Sequence, residues 1–188
     1  MTQAATKNAA AFVAKFNGRA LKPGDAEYDT SRALWNGAID RRPAVIVRCS
    51  STDEVVEAVR FARASGLEIA VRGGGHNYAG NAVCEGGMMI HLGDMNRVAV
   101  DPKARRVSCG GGATWGDVDA ATQQHGLATP GGVISHTGVR VSPWAAASAG
   151  SRRRRGSAAT TSLGPRSSRP TDGLSARPTR RIPTSSGR

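Results

Sequence analysis

The sequence predicts an α+β domain followed by a segment that cannot build a core. Three observations point there. Short runs alternate as strands do, longer runs carry a helical apolar stripe, and the two do not alternate regularly enough for a doubly wound sheet. The coreless segment follows from a change of composition near residue 140, after which arginine, serine, proline, threonine and glycine dominate.

Taken in order, residues 4–16 are rich in alanine and place Phe12, Val13 and Phe16 on one face, so a helix is expected, ended by Gly18. Lys22-Pro23-Gly24-Asp25 is a turn signal, and Tyr28, Leu34 and Trp35 read as packing anchors. Residues 44–48 form a strand. Residues 53–64 carry a helical stripe at Val55, Val56, Val59, Phe61 and Ala62. Ser51, Thr52 or Asp53 can cap that helix, Glu54 and Glu57 favour its amino end, and Gly66 stops it. A strand over 67–71 follows, then strands over 88–92 and 97–100, the turn Asp101-Pro102, a strand over 105–109 and a helix over 114–125.

The strand over 67–71 delivers the most informative run of the chain, Val71-Arg72-Gly73-Gly74-Gly75-His76-Asn77-Tyr78-Ala79-Gly80. Glycines lack Cβ, so such a run can turn tightly and offer successive amide N–H groups to a phosphate. Arg72 adds a cation. The dinucleotide fingerprint would need a glycine where Tyr78 stands, and a P-loop would need Lys-Ser/Thr where Asn81-Ala82 stand, so the cradle is of another kind. His76 is its one reactive side chain; taken alone, it could equally be a loop histidine bonded to a phosphate or to backbone. Gly110-Gly111-Gly112-Ala113-Thr114 lies between a strand and a helix, where close approach to a ligand and a plain turn explain the small residues about equally. His136 reads as structural or solvent-facing, and His91 and His125 have less claim to chemistry.

Four motifs, in this order, carry a family resemblance: Arg41-Arg42-Pro43-Ala44-Val45-Ile46-Val47, the glycine-histidine run, Gly111-Gly112-Ala113-Thr114-Trp115-Gly116-Asp117-Val118, and Pro130-Gly131-Gly132-Val133-Ile134-Ser135-His136-Thr137-Gly138-Val139. From about Trp35 to Val139 the chain resembles the PCMH-type FAD-binding domain of the vanillyl-alcohol oxidase and p-cresol methylhydroxylase superfamily, in particular the berberine-bridge-enzyme-like FAD-linked oxidases. The resemblance implies the first half of such a domain, with two small α+β subdomains. It implies that Arg72, Gly73, Gly74, Gly75, His76, Asn77, Tyr78 and Gly80 wrap the FAD pyrophosphate, joined by Gly112, Ala113, Thr114, Pro130, Gly132, Val133, Gly138 and Val139 along the cofactor. It implies a covalent bond from His76 to the 8α-methyl of the isoalloxazine. Relatives with two flavin bonds use a cysteine where this chain has Ile134, so one tether is expected.

The implied activity of an intact member is hydride transfer from a substrate C–H to flavin with reoxidation by dioxygen. The substrate would be a small molecule, and a related dehydrogenase is the alternative. The catalytic base and the substrate domain follow this region in the family, so no catalytic residue is assigned here, and a truncated fragment with little or no turnover is expected. No metal is expected.

A net charge of +12 with 4% aromatic residues would ordinarily suggest a nucleic-acid binder. Mapping the charge removes most of that inference. Residues 141–188 hold ten arginines and one acid, Asp172, so nine of the twelve net charges lie there and the body is nearly neutral. A basic interaction protein using this arm on nucleic acid is the alternative reading. Cys49, Cys84 and Cys109 have no metal-ligand or CxxC spacing, and their odd number argues against a disulfide framework. With no apolar leader or span visible, a cytoplasmic protein without membrane partners is expected.

The organisation expected is therefore a lead-in over 1–34, the FAD-binding domain over 35–140, and a basic tail over 141–188. The tail departs abruptly from the family at Arg140. Read two bases later, the codons of residues 141–151 permit LTLGGGIGWL, a family-like continuation in which the single Trp144 codon fixes bases. A reading-frame shift near codon 140 is the expectation that follows.

Overall fold

Val45-Ile46-Val47 and Met88-Met89-Ile90 are apolar without interruption, the pattern of strands covered on both faces. In the computed structural model, which describes residues 18–139 together with Phe12, Val13 and Phe16, they are the two central strands of a four-stranded sheet. The elements in chain order are β1 (Arg19–Leu21), α1 (Tyr28–Arg32), β2 (Val45–Arg48), α2 (Thr52–Ala64), β3 (Ile69–Arg72), β4 (Met88–His91), β5 (Val98–Asp101), β6 (Arg106–Cys109) and α3 (Trp115–Gln123). The sheet order is β1-β2-β4-β3, with β1 antiparallel to β2 and the other three strands parallel.

Both faces of β2 and β4 are buried. Val45, Val47, Met88 and Ile90 meet Ala58 and Ala62 of α2, with Phe12 and Phe16 against them. Ile46 and Met89 face the other way, onto Leu21, Tyr28, Leu34, Ala82 and Val83. Ser51 caps α2 by accepting the Glu54 N–H, as its place before the apolar stripe predicts. Tyr28 is a packing anchor, 1% exposed, with its hydroxyl donating to the Pro43 carbonyl at 2.7 Å. A second, smaller core lies between the antiparallel hairpin β5-β6 and α3, where Ala113, Trp115, Val118 and Val139 meet Val98, Val107 and Cys109.

The mixed α+β class agrees with the sequence reading, but three details differ from it. β1 and α1 were not anticipated; three and five residues give too little periodicity to register. Parallel pairing of β2, β4 and β3 was not anticipated either, because register is a tertiary property. Trp35 is not a packing anchor: it is 60% exposed. The expected helix over 4–16 lies mostly outside the described residues, as does the basic tail over 141–188. Among the described residues, no helix is long and apolar enough to cross a membrane, and no group of side chains could hold a metal ion.

Candidate functional site

Parallel pairing aligns the carboxyl ends of three strands, the edge where open sheets place ligands. Arg48, His91 and Arg72 stand there side by side in register. Arg48 is neutralised: it contacts Asp94, with Nε to Oδ2 at 3.0 Å, and Glu27 at 3.3 Å. Arg72 is not. One of its nitrogens, Nη2, donates to the Ala33 carbonyl at 2.9 Å, Nη1 abuts His91 Nε2, and the buried Nε has no partner among the described residues. Burial first, then the Arg48 charge, lowers its pKa.

His91 cannot make good that deficit. Its Nδ1 accepts the Gly93 N–H at 3.1 Å, so in the neutral ring the hydrogen sits on Nε2, where the guanidinium also brings a donor. Burial, then Arg72 and Arg48, pushes its pKa down to about 4, so the ring is neutral near pH 7. Arg72 is thus a partly buried cation, its Nε fully covered, with no carboxylate against it among the described residues. Such a charge is costly unless an anion completes it.

The glycine run leaves β3 directly above this guanidinium. Its carbonyls and one side chain are anchored: Trp35 N–H donates to Gly75 O at 3.1 Å, Asn36 Nδ2 to Tyr78 O at 3.0 Å, Arg41 Nη1 to Gly80 O at 3.2 Å, and Asn81 N–H to Asn77 Oδ1 at 2.9 Å. Its donors are not used. The amide N–H groups of residues 73–79 find no acceptor among the described residues, and those of 131–136 find none either. Gly75 sits at φ +75°, and a methyl there would also come within 3.0 Å of Arg72. The result is a loop whose unused groups are donors, beside a partly buried cation, and this chemistry suits a polyanion with several oxygens, such as a diphosphate.

Three loops meet at this point. Residues 137–139 run antiparallel along 113–115, through Trp115 N–H to Thr137 O and Val139 N–H to Ala113 O, both at 3.0 Å. Gly138 then touches Gly74 so closely that a Cβ on Gly74 would lie 2.2 Å from the Gly138 nitrogen. This contact brings His76 Nε2 to 2.6 Å from His136 Nδ1. Trp35 also stacks on the His76 ring, centroids 5.5 Å apart and planes 22° apart. Burial, then His136 and Arg72, lowers the His76 pKa, leaving a neutral ring with a lone pair. Tyr78, Val133 and Ile134 expose their side chains.

Of the residues read from sequence, Arg72, Gly73, Gly74, Gly75, His76, Asn77, Tyr78 and Gly80 share one loop, and Gly138 meets it at Gly74, while Val133 is exposed. Gly112, Ala113 and Thr114 have structural work: Gly112 N–H donates to Met95 O at 3.2 Å, Ala113 is buried, and Thr114 forms a capping box with Asp117 at the start of α3. Pro130 leads into Gly131 and Gly132, which lie over the Trp115 ring, and Val139 joins the second core. Trp35 and His136 are the functional candidates that sequence reasoning missed. Neither carries a local signal, because each matters only through a ring brought from a distant segment.

Residues 43–166 match the family described as FAD binding domain, a match that runs past Arg140 into the arginine-rich segment. (R)-6-Hydroxynicotine oxidase of Paenarthrobacter nicotinovorans is 37% identical over 121 residues, covering 64% of this chain and 26% of that protein. Among solved structures, 6-hydroxy-D-nicotine oxidase from Arthrobacter nicotinovorans is similar at 36% identity and a TM-score of 0.64, over 66% of this chain and 28% of its own. A glucooligosaccharide oxidase from Acremonium strictum, described with a 6-S-cysteinyl, 8α-N1-histidyl FAD, is similar at 27% identity and a TM-score of 0.65, over 70% and 28%. The chain spans only about a quarter of the length of the relatives it matches.

Proposed function

Because the chain belongs to the FAD binding domain family, we propose that it is the cofactor-holding part of an FAD-linked oxidoreductase in which His76 carries the flavin covalently. The observation that carries the reading is the row of acceptorless amides over residues 73–79 above the unpaired Arg72 guanidinium. A diphosphate supplies what both lack: several anionic oxygens.

In this reading the amides of residues 73–79 and the Arg72 guanidinium would hold the diphosphate, the amides by hydrogen bonds and Arg72 by its charge. Asn77, Tyr78 and Gly80 hold the loop's shape, and Gly112, Ala113 and Thr114 hold the turn on which it rests. Pro130, Gly132 and Val133 flank the ring system, and Gly138 and Val139 fix their segment to the glycine loop. His76, neutral and stacked on Trp35, presents a ring nitrogen for the bond to the 8α-carbon. Ile134 has no thiol, so His76 is the single tether.

When bound, FAD supplies two-electron chemistry, taking hydride from a substrate C–H and passing the electrons to dioxygen. The proton-accepting base for that reaction and the contacts that choose the substrate belong to the intact protein beyond the described residues; sugars, alcohols and secondary-metabolite scaffolds are the candidate class. A dehydrogenase passing electrons to a carrier would differ in giving no peroxide. The relatives reported above are oxidoreductases, which leaves the nucleic-acid alternative without support. A cytoplasmic location is part of the proposal and rests on the buried thiols Cys49 and Cys84.

The test is expression of the chain with FAD, followed by acid precipitation. One flavin per chain should stay in the pellet with its visible absorbance. Flavin released to the supernatant would remove the tether, and a colourless protein in excess FAD would remove the cradle.

A further inference from the structure

The close approach of His136 to His76 is not explained by packing. His136 is exposed, yet its backbone is fixed on both sides: Ser135 O accepts the Gly116 N–H at 2.8 Å and Thr137 O accepts the Trp115 N–H at 3.0 Å, both at the start of α3. Two anchored neighbours hold the imidazole between them, with Nδ1 2.6 Å from His76 Nε2. We infer that His136 is the positioning residue for flavin attachment: it accepts the Nε2–H of His76, fixes Nδ1 as the attacking nitrogen, and takes the Nε2 proton as the bond forms.

The inference rests on the FAD reading above, but the direction of the hydrogen bond is argued independently. Two imidazoles sharing one proton between Nε2 and Nδ1 have two arrangements. With His76 donating, both rings are in the Nε2–H tautomer, the one a neutral histidine side chain intrinsically prefers; with His136 donating, both must adopt the less favoured Nδ1–H form. The first leaves a lone pair on His76 Nδ1, and the lowered pKa of His76 keeps the ring neutral. Attack through Nδ1 would make that ring a cation unless Nε2 loses its proton, and His136 Nδ1 is the acceptor already in place.

The step balances. A bond forms between His76 Nδ1 and the 8α-carbon, one methyl C–H breaks, and the Nε2 proton leaves through His136. Two electrons and two protons are released in all, and dioxygen takes them to give hydrogen peroxide.

Two measurements test it. Long-range proton–nitrogen NMR on the full chain labelled with ¹⁵N-histidine, without FAD, should show His76 as the Nε2–H tautomer, with that bias lost in His136→Ala. An Nδ1–H His76 in the unaltered chain overturns the inference whatever FAD does. The second measurement follows attachment over time by acid precipitation, with non-covalent FAD affinity read from flavin fluorescence. His136→Ala should attach at least tenfold more slowly with affinity within twofold, and NMR of the unaltered chain's flavin peptide should show the Nδ1 isomer. His136→Asn keeps an acceptor but no basic nitrogen, so it should retain the isomer and attach slowly.

Attachment through Nε2, or an unchanged rate in His136→Ala, overturns the inference while leaving FAD binding intact. Equal loss of FAD affinity in His136→Ala and His136→Asn makes the residue merely structural and also overturns it. Failure of the unaltered chain to bind or attach FAD defeats the parent reading, and this one with it.

Discussion

At the scale of single residues, Arg72 and His91 make opposite demands on the chain. Arg72 is partly buried with no anionic partner among the described residues, so it costs the FAD-free protein stability that an arriving anion restores. Arg72→Met should leave the thermal midpoint of the FAD-free chain unchanged or raised, and should weaken FAD binding roughly 10- to 100-fold, the loss of a charge-assisted hydrogen bond worth about 1.5–3 kcal/mol. Fluorescence titration checks it; unchanged affinity would dismiss Arg72 from the site. His91 bears on pH. Its folded pKa of about 4 lies below the ~6.5 of an unfolded histidine, so between those values only the unfolded chain gains a proton. Stability therefore falls as pH drops from about 6.5 towards 4, by on the order of 3 kcal/mol, and owes no pH dependence to this group above that window. Urea midpoints at pH 7, 5 and 4 should show the loss, and His91→Gln should flatten it.

At the scale of elements, the site depends on loops touching through backbone. A methyl on Gly74 would lie 2.2 Å from the Gly138 nitrogen, so Gly74→Ala should cost about 1–3 kcal/mol and separate the His76 and His136 loops, with FAD uptake falling alongside the thermal midpoint. Gly37→Ala is the control: nothing lies within 4 Å of its added methyl, so it should be near neutral. This is also where sequence reading succeeds and fails. The apolar runs of β2 and β4, the stripe and cap of α2 and the capping box of α3 are local patterns, legible because covered strands and helices impose them on neighbouring residues. The glycine run was legible as a donor cradle for the same reason. What stayed hidden is long-range: parallel register, the stacking of Trp35 on His76, and the meeting of His76 with His136, sixty residues apart in sequence.

At the scale of the whole molecule, this chain supplies the part that grips the cofactor and only about a quarter of each relative's length. The composition beyond Arg140 carries its own prediction. Sequencing the gene across that codon should reveal a displaced frame whose repair restores a glycine-rich continuation; an unbroken frame would leave the arginine-rich segment a genuine part of the protein.

Among the described residues the outermost parallel strand, β3, is paired on one side only, and it runs straight into the loop that carries His76. A freely exchanging ligand braces such a margin only while its concentration stays high, because linkage stabilises by mass action. A welded one does so permanently. Dialysis should therefore soften a sample carrying loosely held flavin yet leave the melting point of a bonded form untouched, so the proposed histidine link would be as much a fastening for the sheet's rim as an aid to redox work.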